Sequence, residues 1–140
     1  MDKELLLKAI ENDKNLDIMS LTTVKINALK KKVIDLLPIE EETRKDYLSI
    51  LKDYRFVDEL DEFINGRYIR WVKLSNESNF KLERGAAFVE YKITKDDTKI
   101  IYKNFYTPKH FQLNFDDCIF FQKLSDQELI ILKALDHMER

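Results

Sequence analysis

A chain of 140 residues with a formal net charge of −2 has the size of one domain and can bury a core without disulfide or metal staples. Its 44% hydrophobic and 36% charged residues exclude a disordered chain and a membrane-embedded one. Two Gly and two Pro leave little of it for flexible linkers.

Residues Lys3 to Ile10 carry Leu5, Leu6, Leu7 and Ile10 as a short helical stripe with Asp2 placed to cap it, and the polar run Glu11 to Asn15 breaks it. A second helix is expected from Ser20 to Leu37. Leu21, Val24, Ala28, Val33 and Leu36 mark its apolar face, and Lys25 and Lys30 to Lys32 its solvated face. Pro38 ends it, because proline disfavours helical geometry in the residue before it. A third helix begins near Ile39, with Glu40, Glu41 and Glu42 at the positive end of its dipole. Its face runs through Tyr47, Leu48, Leu51 and Tyr54, and Phe56, Leu60, Phe63 and Ile64 prolong or restart the pattern until Asn65-Gly66 stops it.

After Gly66 the period changes from 3.6 to 2. Arg67 to Leu74 reads as a strand with Ile69 and Trp71 on one face and Tyr68, Arg70 and Val72 on the other. The hydrophobicity of Ile69 predicts that this Trp71 face meets the helices, with the indole N–H near solvent or a carbonyl acceptor. Gly85 to Thr94 and Lys99 to Phe105 form a hairpin about the turn Lys95 to Thr98. Beyond Pro108, His110 to Phe115 and Cys118 to Lys123 give two more short strands, a spacing typical of a meander or small barrel. Ser125 with Glu128 is a capping box that opens a C-terminal helix through Leu129, Ile130, Leu132, Ala134 and Leu135. The fold class is α+β: N-terminal helices, a small antiparallel sheet or barrel of about five strands, then one helix. The chain reads as a single domain over 1–140, helical over 1–66, β over 67–123 and helical again over 124–140.

The chemical inventory is thin. His110 and His137 stand alone, one cysteine forms no zinc motif, and Gly66 and Gly85 make no phosphate loop, so no catalytic residue, metal or cofactor is expected and the chain is read as non-enzymatic. The acidic pairs Asp58/Glu59 and Asp61/Glu62 read as a solvated helix face, Asp96/Asp97 as a turn, and Asp116/Asp117 as a link between strands. Cys118 lies in an apolar run beside two aspartates, which predicts a buried, inert thiol. The lone cysteine and the absence of a secretory leader fit a reducing compartment, so the expected location is cytoplasmic, with no membrane partner.

Charge and aromatics are unevenly placed. None of the 16 aromatic residues precedes Tyr47, and 12 lie between Tyr68 and Phe121. Residues 1–66 hold 11 basic and 15 acidic groups, net −4, whereas residues 67–123 hold 11 basic and 7 acidic groups, net +4. A basic, aromatic β region has the ingredients for stacking single-stranded nucleic acid, and Arg67, Tyr68, Arg70, Lys99, Tyr102 and Lys103 are the candidates. The competing reading places the aromatics in the core and neutralises the cations against the acidic helices.

The stretch Gly66-Arg67-Tyr68-Ile69-Arg70-Trp71, followed by Phe121-Gln122-Lys123-Leu124-Ser125 and Glu128, resembles small uncharacterised proteins of large double-stranded DNA viruses. The Asn-, Lys- and Ile-rich composition is similar to theirs, and the resemblance covers the second half of the chain. It implies a virion component, a regulator of viral transcription or a host-factor binder, located in host cytoplasm or virion, and it brings no functional residues. The first expectation is a protein–protein interaction or assembly module that self-associates or binds another protein; nucleic-acid binding is the alternative.

Overall fold

The computed structural model of the chain describes residues 3–11, 21–75 and 79–138. Helices α1 (Lys3–Glu11), α2 (Thr23–Asp35) and α3 (Glu41–Ile50) precede strands β1 (Tyr54–Val57), β2 (Tyr68–Lys73), β3 (Ala86–Ile93), β4 (Thr98–Lys103), β5 (His110–Asn114) and β6 (Cys118–Lys123), and α4 (Asp126–Met138) closes the chain. The α+β order expected from the sequence is the order observed. Asp2, Ser20 and the break at residues 12–15 lie outside the described residues.

All strand pairs are antiparallel, in the order β1-β6-β2-β3-β4-β5. Strands β2 to β5 form a meander, and β6 returns to insert between β2 and β1. Only Phe115–Asp117, one 3-10 turn, joins β5 to β6 although three strands lie between them. In a flat sheet that separation is about 19 Å at about 4.8 Å per strand, whereas this link reaches at most about 14 Å. The sheet must therefore curl. Its concave side is filled by residues of all six strands: Val57, Ile69, Trp71, Ala86, Phe88, Ile100, Leu113 and Phe120, with Phe63 from the loop after β1. Phe63 stacks on Phe88 at 4.6 Å and meets Phe120 edge-on at 5.4 Å, the offset and T-shaped geometries that aromatic quadrupoles favour.

The helices cover the convex side. Val33, Ile34 and Leu37 from the end of α2 and Leu51 after α3 pack on Tyr54, Val72 and Phe121. The Trp71 face thus meets strands and not helices, a reversal of the expected sidedness. Curling accounts for it, because it gives the concave face a core of its own. A third cluster joins Ala9 of α1, Ile26 of α2 and Leu124, Ile131 and Leu132 at α4.

Three local features depart from the sequence reading. Tyr54–Val57 is a strand and no helical continuation, so the sheet has six strands, and the acidic run behind it, Leu60–Glu62, is a 3-10 turn. In that turn Glu62 accepts from the backbone N–H of Asp58 and Glu59 and pairs with Arg55 at 3.0 Å. Strand β3 carries a bulge at Val89, so Phe88 opposes Tyr102 while Glu90 opposes Ile101, and the alternation of its second half is shifted by one. Gly66, at φ +82°, turns the chain into β2 and donates its N–H to the Phe88 carbonyl. Finally, Val24 and Leu36 of α2 are 74% and 76% exposed, and the buried stripe runs through Ile26, Lys30, Val33 and Ile34.

Trp71 is buried, with Tyr102 at 4.7 Å and Phe120 at 6.5 Å between ring centroids. Its indole nitrogen is buried without a hydrogen-bond partner among the described residues, contrary to the solvent or carbonyl acceptor expected for it. Trp71→Ala should lower unfolding free energy by about 3–5 kcal/mol, the cost of truncating a large core aromatic. Trp71→Phe, which keeps a ring and deletes the unpartnered donor, should cost less than about 1.5 kcal/mol. Denaturant unfolding of both variants measures this, and an unchanged midpoint for Trp71→Ala would remove Trp71 from the core.

Candidate functional site

The six residues proposed for nucleic acid do not share a face. Ile100 and Tyr102 of β4 point to the concave core, so Lys99 and Lys103 point to the convex side, as Tyr68 and Arg70 do on β2. Tyr102 is tilted against Trp71 and stacks on Phe111 at 5.5 Å, and burial raises its pKa. Arg67 donates to the carboxylate of Glu128, which is buried, and Arg70 donates its Nε–H to the Glu83 carbonyl at 3.0 Å. Lys99 pairs with Asp97 at 3.0 Å and bonds Asn114, and the same lysine helps hold the Asp97 carboxyl below its ordinary range, after the larger effect of the Thr94 hydroxyl. Tyr68 stacks on Phe105 and lies over Gly85, where a Cβ would collide with its ring. Lys103 alone of the six is an exposed cation with no hydrogen bond or ion pair among the described residues. Three of the four candidate cations are therefore engaged within the fold.

The edges of the curled sheet differ. Strand β1 carries Arg55 and is packed by α2. Among the described residues strand β5 pairs with β4 on one side only, and its residues His110-Phe111-Gln112-Leu113-Asn114 include no Lys, Arg, Asp or Glu. Monomeric proteins commonly blunt an open edge with such charges, with proline or with a bulge; here Pro108 and the exposed Lys109 stand just before the strand and none lies within it. His110, Phe111 and Gln112 are exposed, and beside them Phe105 and Tyr106 in the β4–β5 connection are 71% and 93% exposed.

On the helical side a groove of about 440 Å³ opens between α2, the end of α3 and α4. Ile26, Leu48, Leu124, Leu129 and Leu132 form its apolar walls. Lys30 lies in it although only 3% of its surface is exposed, where the sequence placed a solvated lysine. Its Nζ donates to the carbonyls of Leu51, Lys52 and Tyr54 at 2.8, 3.3 and 3.0 Å, so all three protons are taken by the turn that leaves α3 for β1. Burial lowers the pKa of this ammonium, and Asp53 partly offsets the shift. Lys31 is bonded to Asp35 at 2.6 Å, while Lys52 at the rim is exposed and unpaired among the described residues.

Other groups have structural explanations. Cys118 is half-buried and its thiol is pushed up to about 11 by burial, so little nucleophilic thiolate exists near neutrality. Glu59, Asp61 and Glu62 are the one group of carboxylates among the described residues close enough to share a metal ion, and Glu62 is already engaged by Arg55 and two backbone amides. Asp117 accepts from Asn114 in the β5–β6 link. Among the described residues no helix is long and apolar enough to cross a membrane. The chain matches no family model, no curated protein and no solved structure.

Lys30→Met keeps the aliphatic stem of the side chain and removes the ammonium from three carbonyls, of which only that of Leu51 keeps another donor among the described residues, the Tyr54 N–H at 3.0 Å. It should lower stability by on the order of 3 kcal/mol, read by urea unfolding. A change below about 0.5 kcal/mol, the scatter of ordinary surface substitutions, would show that the ammonium does not hold this junction.

Proposed function

We propose that this protein is a non-enzymatic assembly module that pairs with a second copy of itself through the edge of β5. The observation that carries the reading is an open, uncharged edge strand flanked by exposed aromatics in a chain that is 36% charged. The edge is also self-complementary. An antiparallel pair of β5 strands centred on Gln112 opposes Phe111 to Leu113 of the second copy on the concave face. On the convex face it opposes His110 to Asn114, and Gln112 to itself. No like charges meet, and a two-fold contact requires such self-matching. Exposed Phe105 and Tyr106 extend the apolar rim of the contact, where aromatics are favoured. The likeness of the second half of the chain to small proteins of large double-stranded DNA viruses agrees with an assembly role in virion or host cytoplasm and adds no residue to it.

Light scattering on a size-exclusion column over a concentration series tests this. Wild type should run as a dimer, and Gln112→Lys, which sets two lysines face to face on the axis, should weaken pairing about tenfold or more, equivalent to at least about 1.4 kcal/mol. Gln112 is exposed, so the variant should keep the wild-type circular dichroism. A wild-type protein that stays monomeric at high concentration, or a Gln112→Lys variant that dimerises as well as wild type, sinks the proposal.

One observation favours the nucleic-acid alternative as a second reading. Phe105 and Tyr106 lie between Lys103 and Lys109 in an exposed connection, an arrangement suited to base stacking with phosphate contact. It predicts binding of an oligothymidylate that weakens steeply with added salt through counterion release. Fluorescence anisotropy measures it, and no binding at low salt, or binding indifferent to salt, ends this reading.

A further inference from the structure

We propose that the groove between α2, α3 and α4 is a binding site for a small anionic amphiphile, an aliphatic monocarboxylate whose chain lies along the leucine walls and whose carboxylate sits at the Lys52 rim. Its volume of about 440 Å³ falls within the roughly 300–1,000 Å³ of small-ligand pockets. Ile26, Leu48, Leu124, Leu129 and Leu132 offer an aliphatic lining with no aromatic residue in it, which matches a flexible alkyl chain better than a planar ring.

The charged groups of the lining are mostly of one sign. Lys30, Lys31 and Lys52 line the groove with Asp53 as their only acidic neighbour in the lining. Lys30 has no proton left to donate, because three backbone carbonyls take them. Its charge remains, fixed and largely desolvated, and contributes an attractive field without a direct bond. Lys31 is held to Asp35. Lys52 is therefore the ammonium available to an incoming anion. The Thr23 hydroxyl and the Asn27 amide, also in the lining, carry no side-chain hydrogen bond among the described residues and can serve as secondary donors. A cationic or neutral amphiphile would meet the same walls without this complement.

Titration of the full chain with sodium decanoate below its micelle-forming concentration, followed by amide chemical shifts, tests the assignment. Decyltrimethylammonium is the control for charge. Saturable shifts should appear at Asn27, Leu48, Lys52 and Leu129, with decanoate bound about tenfold or more tightly than the cation, a difference of about 1.4 kcal/mol. Lys52→Ala should weaken decanoate several-fold and leave the melting temperature unchanged, since Lys52 is exposed. Asn27→Trp places an indole in the groove from an exposed helix position, with no core residue lost, and should abolish binding. Equal response to anion and cation overturns the charge assignment. No saturable shift at these amides, or undiminished binding to a folded Asn27→Trp variant, overturns the site.

Discussion

The three residues Phe115–Asp117 govern the architecture, because they join strands that a flat sheet would hold farther apart than the link can reach. Curling the sheet brings the ends of β5 and β6 together and at the same time encloses a volume that only side chains can fill. That enclosed volume needs the largest residues of the chain. Phe63, Phe88, Phe120 and Trp71 meet there, and Phe115 from the link itself stacks on Phe120. Of the aromatics from Tyr68 onward, Trp71, Phe88, Tyr102, Phe115 and Phe120 answer this requirement, and no ligand has to be invoked for them. The convex face of the same sheet is then left to the smaller aliphatic residues of the helices.

Two buried charges fasten the helices to that sheet, and each serves twice. Lys30 reaches from α2 to the carbonyls of Leu51, Lys52 and Tyr54, just beyond the end of α3, and is a second donor to the Leu51 carbonyl, which also accepts from the Tyr54 N–H. The same bonds fix the turn into β1 and so the edge strand that α2 packs against. Glu128 completes the capping box of α4, its Oε1 accepting from the Ser125 N–H at 2.8 Å while Ser125 Oγ accepts from the Glu128 N–H at 3.1 Å, and it also receives Arg67 at the head of β2. One carboxylate thereby starts a helix and anchors it to a strand 61 residues earlier in the chain. Removing solvent from such groups is costly unless they are paired and hydrogen-bonded, and here the three protons of Lys30 each meet a carbonyl and Oε1 of Glu128 accepts from both Ser125 and Arg67.

What was legible in the sequence was what is local. The α4 capping box needs four consecutive residues, and the period-two runs of β2, β4 and β6 declare themselves within six. Strand β1 was hidden because Tyr54 and Phe56 continue the spacing of Tyr47, Leu48 and Leu51, and because its partner segment Phe120–Lys123 lies more than sixty positions away. The α2 face was misread for a related reason. A run of three lysines looks like a solvated surface, and nothing near Lys30 in the chain announces the three carbonyls that await it after residue 50. The Val89 bulge inverted the second half of β3 without any glycine to mark it. Arg70, Lys99 and Lys103 lie on strands as expected and Arg67 one residue before β2, but pattern alone does not reveal that Glu128, Glu83 and Asp97 engage Arg67, Arg70 and Lys99.

The two candidate surfaces were the least legible regions because both are products of topology. Nothing in His110 to Asn114 says that β5 is an edge; that follows from the return of β6 to the far side of β2. The groove is assembled from three separated segments, residues 23–31, 48–53 and 124–132, none of which carries a ligand motif. They share no residue. The groove is lined by residues 23–31, 48–53 and 124–132 and the β5 edge by residues 110–114, so a substitution in one leaves the side chains of the other unchanged. An assembled pair would then present two ligand sites on its helical sides, and the chemistry at one surface can be altered without touching the other. On the proposed readings the rim of the helical layer would hold the ligand and the β5 edge the second copy, with no residue asked to serve both.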